Sequence, residues 1–237
     1  MKEIHYFYAP DAETTLELSE EDAAHALRVL RMTEGDEIML MNGKGHFYRA
    51  VITSASKKRC IYKILETLPQ TPIWNGYIHL AMAPTKNMDR TEWFAEKATE
   101  IGFDELSFVC CKNSERKIIK TERIEKIIIS AMKQSRKPYK PIVNPLMNFE
   151  KFLNTDLPSN KYICHCHDMD SVDRPLLKDV LKPNEHSIVL IGPEGDFSKE
   201  EVVMAEKAGF ISVSLGKSRL RTETAALVAV HFMNIFG

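Results

Sequence analysis

The chain reads Leu190-Ile191-Gly192-Pro193-Glu194-Gly195-Asp196-Phe197-Ser198 near its C-terminus and Leu215-Gly216-Lys217-Ser218-Arg219-Leu220-Arg221-Thr222-Glu223-Thr224-Ala225-Ala226 shortly afterwards. Each stretch is a glycine-containing loop between a short apolar run and a predicted helix. In an α/β domain, ligands bind at the carboxyl ends of strands, because helix N-termini offer free N–H groups and glycine lets the main chain approach closely. We therefore expect the two loops to form one shared site.

Short apolar strands alternate with helices from residue 73 onward. Such alternation predicts a mostly parallel sheet with helices on both faces. Predicted strands cover residues 77–83, 106–111, 161–164, 187–191 and 210–215, and predicted helices cover 89–102, 121–137, a segment capped by Ser198 with Glu201, and 222–236.

The first part of the chain is predicted to be mainly β. Residues 37–41 and 47–52 flank Gly43 and Gly45 and predict a hairpin, and Ser19 with Asp22 predicts a short helix before it. Two prolines at 69 and 72 discourage both helix and central strand, which indicates a linker. We expect a small β-barrel domain over residues 1–68 and an α/β domain over residues 73–237.

The last predicted helix, 222–236, has almost no polar face. In a soluble protein, a helix that is apolar on every face is expected to be buried on every side. It is therefore expected either to cross the core or to pack against a partner subunit.

Composition limits the class of protein. The chain has 237 residues, a charged fraction of 27%, a hydrophobic fraction of 44% and a formal net charge of −1. No apolar run is long enough to span a bilayer, and the N-terminus lacks a signal-peptide pattern, so a cytoplasmic protein without a membrane role is expected. A near-neutral charge argues against coating nucleic acid, although local basic clusters remain compatible with RNA contact.

The five cysteines are an odd number and lie in apolar runs, as expected of reduced thiols. Cys164-His165-Cys166-His167 offers ligand types that zinc prefers. On a strand, however, alternation sends the cysteines to one face and the histidines to the other. No metal site is therefore expected.

The ligand of the two loops is not predicted to be a phosphate. Neither loop has the G-x-G-x-x-G spacing or a Gly-Lys-Ser/Thr ending of the usual phosphate-binding loops. Glu194 would repel a phosphate but would tolerate a cationic ligand. S-adenosylmethionine, with its positive sulfonium and a hydrogen-bonding adenine, is such a ligand.

The same residues resemble a known family. Leu-Ile-Gly-Pro-Glu-Gly-x-Phe-Ser followed by Leu-Gly-x-x-x-Leu-Arg-x-Glu-Thr-Ala-Ala is similar to the signature of the bacterial 16S ribosomal RNA uridine-N3 methyltransferases (the RsmE family) of the SPOUT superfamily. Residues 25–31, 97–102 and 134–135 resemble further segments of that family. The sequence departs from many relatives at Asp196, where they have glycine.

The resemblance implies an N-terminal PUA-like β-barrel that helps to hold RNA, joined to a SPOUT domain with a trefoil knot. It also implies a homodimer and S-adenosylmethionine as cofactor. The substrate would be 16S ribosomal RNA of the small ribosomal subunit. Cofactor-binding residues carried over from the family are Leu190, Ile191, Gly192, Pro193, Glu194, Gly195, Leu215, Gly216, Leu220, Arg221, Thr222, Thr224 and Ala225.

The implied reaction is attack by uridine N3 on the cofactor's methyl group. Arg221 is our candidate for stabilising the negative charge left on the ring, and Glu223 for a hydrogen-bonding or proton-accepting role. Arg221 could instead pair with Glu223, and Glu223 could simply favour the N-terminus of the last helix. RNA phosphates are expected at Arg28 and Arg31, which would lie one helical turn apart, and at Lys133, Arg136 and Lys137 in the second domain.

One alternative belongs to another functional class. A chain with this fold could be a non-catalytic RNA-binding or ribosome-assembly module. Binding of S-adenosylmethionine would separate the two. Methylation of another RNA or base position also remains open from the sequence.

Overall fold

The computed structural model of the chain describes residues 4–56, 59–167 and 174–237. The chain divides into two compact units. Unit 1 contains Met1–Pro72 and Ile129–Lys140, and unit 2 contains Ile73–Ile128 and Pro141–Gly237. Unit 1 therefore takes in a segment that the sequence prediction assigned to the second domain. The functional division into domains 1–68 and 73–237 stays a prediction.

Unit 1 is mainly β in its described part. Its elements are β1 (His5–Tyr8), α1 (Ala12–Thr15), α2 (Glu20–Ala24), a π-helical turn (His25–Val29), β2 (Glu37–Met41), β3 (His46–Ser56) and β4 (Arg59–Pro69). The sheet has the order β1-β2-β3-β4, with β1 parallel to β2 and the other two pairs antiparallel.

The predicted hairpin of unit 1 is confirmed, because β2 and β3 pair antiparallel with Met41 opposite Phe47. Ser19 caps α2 as predicted, since its Oγ accepts a hydrogen bond from the Asp22 N–H at 3.1 Å. Apolar side chains such as Phe7 fill the core on one face of the sheet. The described strands form a sheet, and its closure into a barrel stays a prediction.

Unit 2 is built on a parallel six-stranded sheet, as the sequence predicted. The remaining elements of the chain are β5 (Tyr77–Met82), α3 (Met88–Ile101), β6 (Glu105–Cys110), α4 (Thr121–Ser135), β7 (Ile142–Asn148), α5 (Phe149–Leu153), β8 (Asn160–Cys164), α6 (Leu177–Val180), β9 (His186–Ile191), α7 (Lys199–Lys207), β10 (Ile211–Val213) and α8 (Thr222–Phe236). The strand order is β10-β8-β9-β5-β6-β7, and every neighbouring pair is parallel.

Two details of unit 2 differ from the prediction. The sequence pattern did not predict β7, which contains Pro145 and lies at the edge of the sheet. An edge strand tolerates proline because its missing N–H is not needed for pairing. The helix α3 is capped by Asn87, whose Oδ1 accepts the Asp89 N–H at 3.1 Å, rather than beginning at Asp89. The trefoil knot that the resemblance implies stays a prediction.

The last helix, α8, is buried on one side only. Ala226, Ala229 and Met233 are inside, whereas Ile235 and Phe236 keep 52% and 41% of their surface exposed. The expectation of burial on every side is therefore not met within one chain. Among the helices that the structure describes, none combines the length and apolar character that crossing a membrane requires.

The order of the strands fixes where a site can form. In a parallel sheet, the carboxyl ends of neighbouring strands meet at one edge. The strands β10, β8 and β9 are neighbours and end at Val213, Cys164 and Ile191. The two glycine-containing loops follow β9 and β10, so both leave the same edge of the sheet.

Candidate functional site

A cavity of about 900 Å³ lies at this edge of the unit 2 sheet. Its size suits a ligand as large as a nucleoside cofactor. Both glycine-containing loops line it, which confirms that they form one shared cavity. The predicted cofactor-binding residues in its wall are Ile191, Gly192, Pro193, Glu194, Leu215, Gly216, Leu220, Arg221, Thr222 and Ala225.

Four predicted residues do not line the cavity. Leu190 is fully buried in the strand core. Gly195 faces Asn113, whose Nδ2 donates to the Gly195 carbonyl at 3.2 Å. Thr224 and Glu223 lie in the first turn of α8, away from the cavity wall. The lining part of the predicted cofactor-binding set therefore leaves out Leu190, Gly195 and Thr224.

The first loop favours glycine at position 192. A Cβ atom there would lie 3.0 Å from Cδ2 and 3.1 Å from the backbone nitrogen of Phe197. The loop folds back onto the buried Phe197, and the Asp196 N–H donates to the Pro193 carbonyl at 2.9 Å. Glycine at 192 thus lets this turn close tightly beside the cavity.

Glu194 connects the first loop to the loop that follows β5. Its Oε1 accepts a hydrogen bond from the Lys86 N–H at 2.9 Å. Arg116 holds the same segment from outside, because its guanidinium donates to the carbonyls of Thr85 at 3.1 Å and Lys86 at 2.6 Å. Glu194 therefore both lines the cavity and positions a neighbouring loop.

The second loop is shaped by Ser214 and Gly216. The Ser214 Oγ accepts the Gly216 N–H at 3.1 Å and donates to the Gly216 carbonyl at 3.0 Å. The φ angle of Gly216 is +132°, a conformation that side-chain-bearing residues rarely adopt. This turn delivers the main chain to the cavity and leads to Arg221, which stands at the N-cap of α8.

The two candidate catalytic residues occupy different environments. Arg221 is exposed and lines the cavity. Glu223 is 7% exposed, and its Oε1 lies 3.8 Å from Nε of Arg90 on α3. Its other oxygen, Oε2, has no hydrogen-bond partner within the described residues. Glu223 thus pairs with Arg90 at the start of α8.

A third wall of the cavity was not predicted. It comes from the segment after β8 and from the residues before α6, together with Asp196 of the first loop. Since β8 lies beside β9, its carboxyl end reaches the same edge of the sheet. The lining residues of this wall are Cys164, His165, Cys166, Arg174, Leu176 and Asp196.

Hydrogen bonds hold this third wall together. Arg174 Nη1 donates to the His165 carbonyl at 2.6 Å and to His165 Nδ1 at 2.9 Å, and Nη2 donates to the His167 carbonyl. Ser212 Oγ lies 3.0 Å from His165 Nε2 and donates to Glu206. The serine proton is used there, so Nε2 donates and Nδ1 accepts. Burial, reinforced by the charge of Arg174, lowers the pKa of His165 to about 4.

The Cys164–His167 segment does not continue as a strand. The strand β8 ends at Cys164, and both cysteines with His165 line the cavity. His167 Nε2 donates to the Phe197 carbonyl at 2.6 Å, so this nitrogen is used in a hydrogen bond within unit 2. Burial raises the pKa of the Cys164 thiol. Throughout residues 4–56, 59–167 and 174–237, no group of three or more histidine, cysteine or carboxylate side chains is arranged to hold a metal ion.

All five predicted RNA-binding residues belong to unit 1. Arg28 lies in the π-helical turn, is exposed and borders a separate cavity of about 730 Å³. Arg31 is exposed beyond the helix, with φ of +54°, so it is not one helical turn from Arg28 as predicted. The remaining three, Lys133, Arg136 and Lys137, fall in the segment 129–140.

The side chains of Lys133, Arg136 and Lys137 differ in how accessible their charges are to an RNA phosphate. Lys133 Nζ lies 3.0 Å from Asp22 Oδ1, so its charge is already paired. Arg136 is exposed, and its guanidinium lies 5.0 Å from the centre of the Tyr6 ring. Burial lowers the pKa of Lys137. Arg136 is therefore the most accessible cation of the three.

Comparison with known proteins identifies the family to which the chain belongs. Residues 73–234 match the model of an RNA methyltransferase domain, and residues 18–65 match that of an RNA methyltransferase PUA domain. The chain is 30% identical to the ribosomal RNA small subunit methyltransferase E of Buchnera aphidicola, over 90% of this chain and 85% of the relative.

Two solved structures are similar over nearly the whole chain. The probable rRNA-methyltransferase from Porphyromonas gingivalis is 42% identical, with a TM-score of 0.91 and 98% of each chain covered. The ribosomal RNA small subunit methyltransferase E from Neisseria gonorrhoeae, solved with bound S-adenosyl methionine, is 28% identical, with a TM-score of 0.85 and 96% and 95% covered. The chain therefore belongs to the ribosomal RNA small subunit methyltransferase E family, with a PUA domain and an RNA methyltransferase domain.

Proposed function

We propose that this chain transfers the methyl group of S-adenosylmethionine to N3 of a uridine in 16S ribosomal RNA. The observation that carries the proposal is the convergence of two glycine-containing loops on one cavity of about 900 Å³. The relative from Neisseria gonorrhoeae with the same fold was solved with S-adenosyl methionine bound. The resemblance found in the sequence supplies uridine N3 as the target.

The residues present suit this cofactor. Gly192 and Gly216 lower the steric cost of main-chain contact, so backbone N–H and C=O groups can hold adenine. Glu194 and Asp196 place two carboxylates in a wall that also carries four cationic side chains, and a carboxylate complements a sulfonium. When bound, S-adenosylmethionine supplies an electrophilic methyl group. The residues proposed to hold it are the cavity-lining members of the predicted set, with Leu190, Gly195 and Thr224 supporting the loops.

Arg221 is the proposed catalytic residue. Uridine N3 loses its proton to solvent water, which leaves negative charge on the uracil ring, and a cation in a partly enclosed site stabilises that charge. The bond from N3 to the methyl group forms as the bond from the methyl group to sulfur breaks, which releases S-adenosylhomocysteine. Arg221 lines the cavity, stands at the N-cap of α8 and makes no ion pair within the described residues. The positive end of the α8 dipole acts in the same direction.

Glu223 is proposed as a positioning residue rather than a proton acceptor. It does not line the cavity, and its contact with Arg90 ties the first turn of α8 to α3. A carboxylate in the first turn also favours the helix N-terminus electrostatically. Glu223 would thereby hold the turn that carries Arg221.

RNA binding is assigned to unit 1, which matches the PUA model over residues 18–65. Arg28, Arg31 and Arg136 are exposed cations in this unit, and exposed cations can neutralise phosphates. Lys133 and Lys137 are proposed as secondary contacts. This RNA-binding role is centred on the domain expected over residues 1–68, with methyl transfer in the domain expected over 73–237.

A homodimer is part of the proposal. The outward side of α8 carries Leu227, Val228 and Phe232, which are half-buried, and the exposed Ile235 and Phe236. A second copy would cover this apolar face. Light scattering should give twice the chain mass, and Phe236→Glu should shift it towards the monomer. A monomeric wild-type chain would contradict the proposed dimer.

The proposed compartment is the cytoplasm, where ribosomal subunits are assembled.

The test is methylation of ribosomal RNA prepared from a strain that lacks this gene. Purified chain and labelled S-adenosylmethionine are incubated with small subunits and, separately, with free 16S RNA, and the digested nucleosides are identified by mass spectrometry. We expect 3-methyluridine in one of the two reactions. Cofactor binding without any methylated nucleoside would indicate the non-catalytic module instead. Methyl groups on another base would overturn the uridine assignment.

A further inference from the structure

Two oppositely charged side chains on the third wall differ from the other charges that line the cavity. Arg174 and Asp196 are half-buried, and both are held by hydrogen bonds. The other charged lining residues are all exposed, namely Glu194, Lys217, Arg219 and Arg221. A preformed charge binds a ligand at lower entropic cost than a mobile one.

Asp196 is fixed by backbone donors on both oxygens. Its Oδ2 accepts the Cys166 N–H at 2.7 Å, and its Oδ1 accepts the Phe197 N–H at 2.8 Å. Its φ angle is +61°, which aspartate and asparagine tolerate better than most residues. The carboxylate therefore joins the first loop to the segment after β8 while it lines the cavity.

Arg174 approaches the same segment with its guanidinium. Its guanidinium donates to the His165 carbonyl, to His165 Nδ1 and to the His167 carbonyl, and Nη1 also lies 3.2 Å from His165 Nε2. A guanidinium has five N–H donors, so, counting partners among residues 4–56, 59–167 and 174–237, donors on Nη2 and Nε remain for a ligand. The lowered pKa of His165 keeps its imidazole neutral near pH 7.

We propose that Arg174 and Asp196 receive the zwitterionic amino-acid end of the cofactor, Arg174 its carboxylate and Asp196 its ammonium group. This inference rests on the proposed function, because it places one part of S-adenosylmethionine. A guanidinium pairs well with a carboxylate, and a fixed carboxylate with an ammonium. The third wall would then orient the amino-acid end, while the two glycine loops hold adenosine.

The experiment compares two ligands that differ in this end. S-adenosylhomocysteine carries the amino-acid group, 5′-methylthioadenosine lacks it, and both have an uncharged sulfur. Calorimetric affinities of the full chain are measured for wild type, Asp196→Asn and Arg174→Gln. Asparagine keeps one oxygen that can accept the Cys166 N–H and suits the same φ angle, so Asp196→Asn removes the charge together with the bond from the Phe197 N–H. A change confined to the loop would weaken both ligands alike, whereas loss of the charge weakens only the ligand that carries the amino-acid group.

We expect each substitution to weaken S-adenosylhomocysteine by about tenfold or more, the size of a lost hydrogen bond to a charged group. Binding of 5′-methylthioadenosine should change by less than about twofold, well under one hydrogen bond. The control is Lys207→Gln, which removes an exposed charge outside the cavity wall and should leave both affinities nearly unchanged.

Equal weakening of both ligands, or weakening of neither, would overturn the proposal. If Arg174→Gln does not fold, Asp196→Asn decides alone. A folded wild-type chain that binds neither ligand would instead reject the proposed function, so the two failures are distinguishable.

Discussion

Nε of Arg90 lies 3.8 Å from Oε1 of Glu223, which joins the N-terminal turns of α3 and α8 in unit 2. Glu223 is almost completely buried, and Arg90 is partly exposed. A buried carboxylate that loses its cation is left with an uncompensated charge, so the pair matters for the geometry of this turn. The turn begins immediately after Arg221, the cavity-lining cation.

Glu223 and Arg221 should therefore respond differently to substitution. Arg221→Ala is expected to lower kcat by about a hundredfold, as loss of one charge-stabilising group does, with a smaller loss of S-adenosylmethionine affinity because Arg221 also lines the cofactor cavity. Glu223→Gln should lower thermal stability and reduce kcat by less than about tenfold, a loss below about 1.4 kcal/mol of barrier. Single-turnover kinetics and calorimetry measure both effects.

The pH profile provides the control for this pair. A positioning role predicts the same pH dependence of kcat in wild type and Glu223→Gln. It also predicts that Arg90→Ala lowers thermal stability and kcat about as much as Glu223→Gln does. Loss of the acidic limb in Glu223→Gln alone would identify Glu223 as the proton acceptor. That outcome would contradict the positioning role.

Two glycines with positive φ offer a matched test of the second loop. Gly216 has φ of +132° and Gly209 has φ of +91°, and a Cβ atom added at either position would have no other atom within 4 Å. Alanine at either site should cost roughly 1–3 kcal/mol of strain in thermal unfolding. Only Gly216→Ala, which lies in the cavity wall, should also weaken S-adenosylmethionine binding, by about tenfold. Equal affinities in the two variants would argue against this loop as a cofactor loop.

The RNA-binding assignment predicts an order among the basic residues. Arg28→Glu and Arg136→Glu should weaken binding of 16S RNA fragments and reduce the slope of log affinity against log salt by about 1 for each phosphate that is no longer neutralised. Lys133→Ala should have a smaller effect, because Lys133 is already paired with Asp22 at 3.0 Å. Cofactor affinity serves as the control and should stay constant. RNA affinity that is indifferent to salt and to both reversals would refute this surface.

A buried histidine predicts how stability depends on pH. His79 is 2% exposed, and burial lowers its pKa to about 4, partly opposed by Glu105. The unfolded chain takes up this proton near pH 6.5, whereas the folded chain does so only near its lower pKa. Stability from this group is therefore complete above about pH 6.5 and falls as the pH drops towards 4, by on the order of 2–3 kcal/mol.

Urea unfolding between about pH 7.5 and 4 measures this loss of stability. His79→Gln should reduce the pH dependence and leave the part that comes from His165, whose pKa is also lowered to about 4, whereas substitution of the exposed His231 should leave the pH dependence unchanged. A wild-type stability that rises on acidification over this range would contradict the buried neutral state of His79.

The sequence alone predicted the parallel sheet and the shared cavity, because both follow from local patterns. Apolar runs identify strands, and loops at the carboxyl ends of parallel strands meet at one edge. The third wall was not predicted because the segment Cys164–His167 has no glycine motif. Its cysteine and histidine residues occur in protein cores as well as in ligand sites. The feature that brings this segment to the cavity is the pairing of β8 with β9. The order of strands in a sheet cannot be predicted from local sequence patterns.

Which side chains face the cavity was also harder to predict than which loops do. Leu190 points into the core because neighbouring strand positions alternate between faces, and Gly195 turns towards Asn113. The pairing of Lys133 with Asp22 joins residues that lie far apart in the sequence, as does the inclusion of Ile129–Lys140 in unit 1. Such long-range contacts leave no local pattern.

The most direct test of the account is calorimetric titration of the full-length chain with S-adenosylmethionine. We predict saturable binding that is weakened by Gly216→Ala and retained in Gly209→Ala. A folded chain that gives no binding heat at about 1 mM cofactor, corresponding to an affinity weaker than about −4 kcal/mol, would contradict the account.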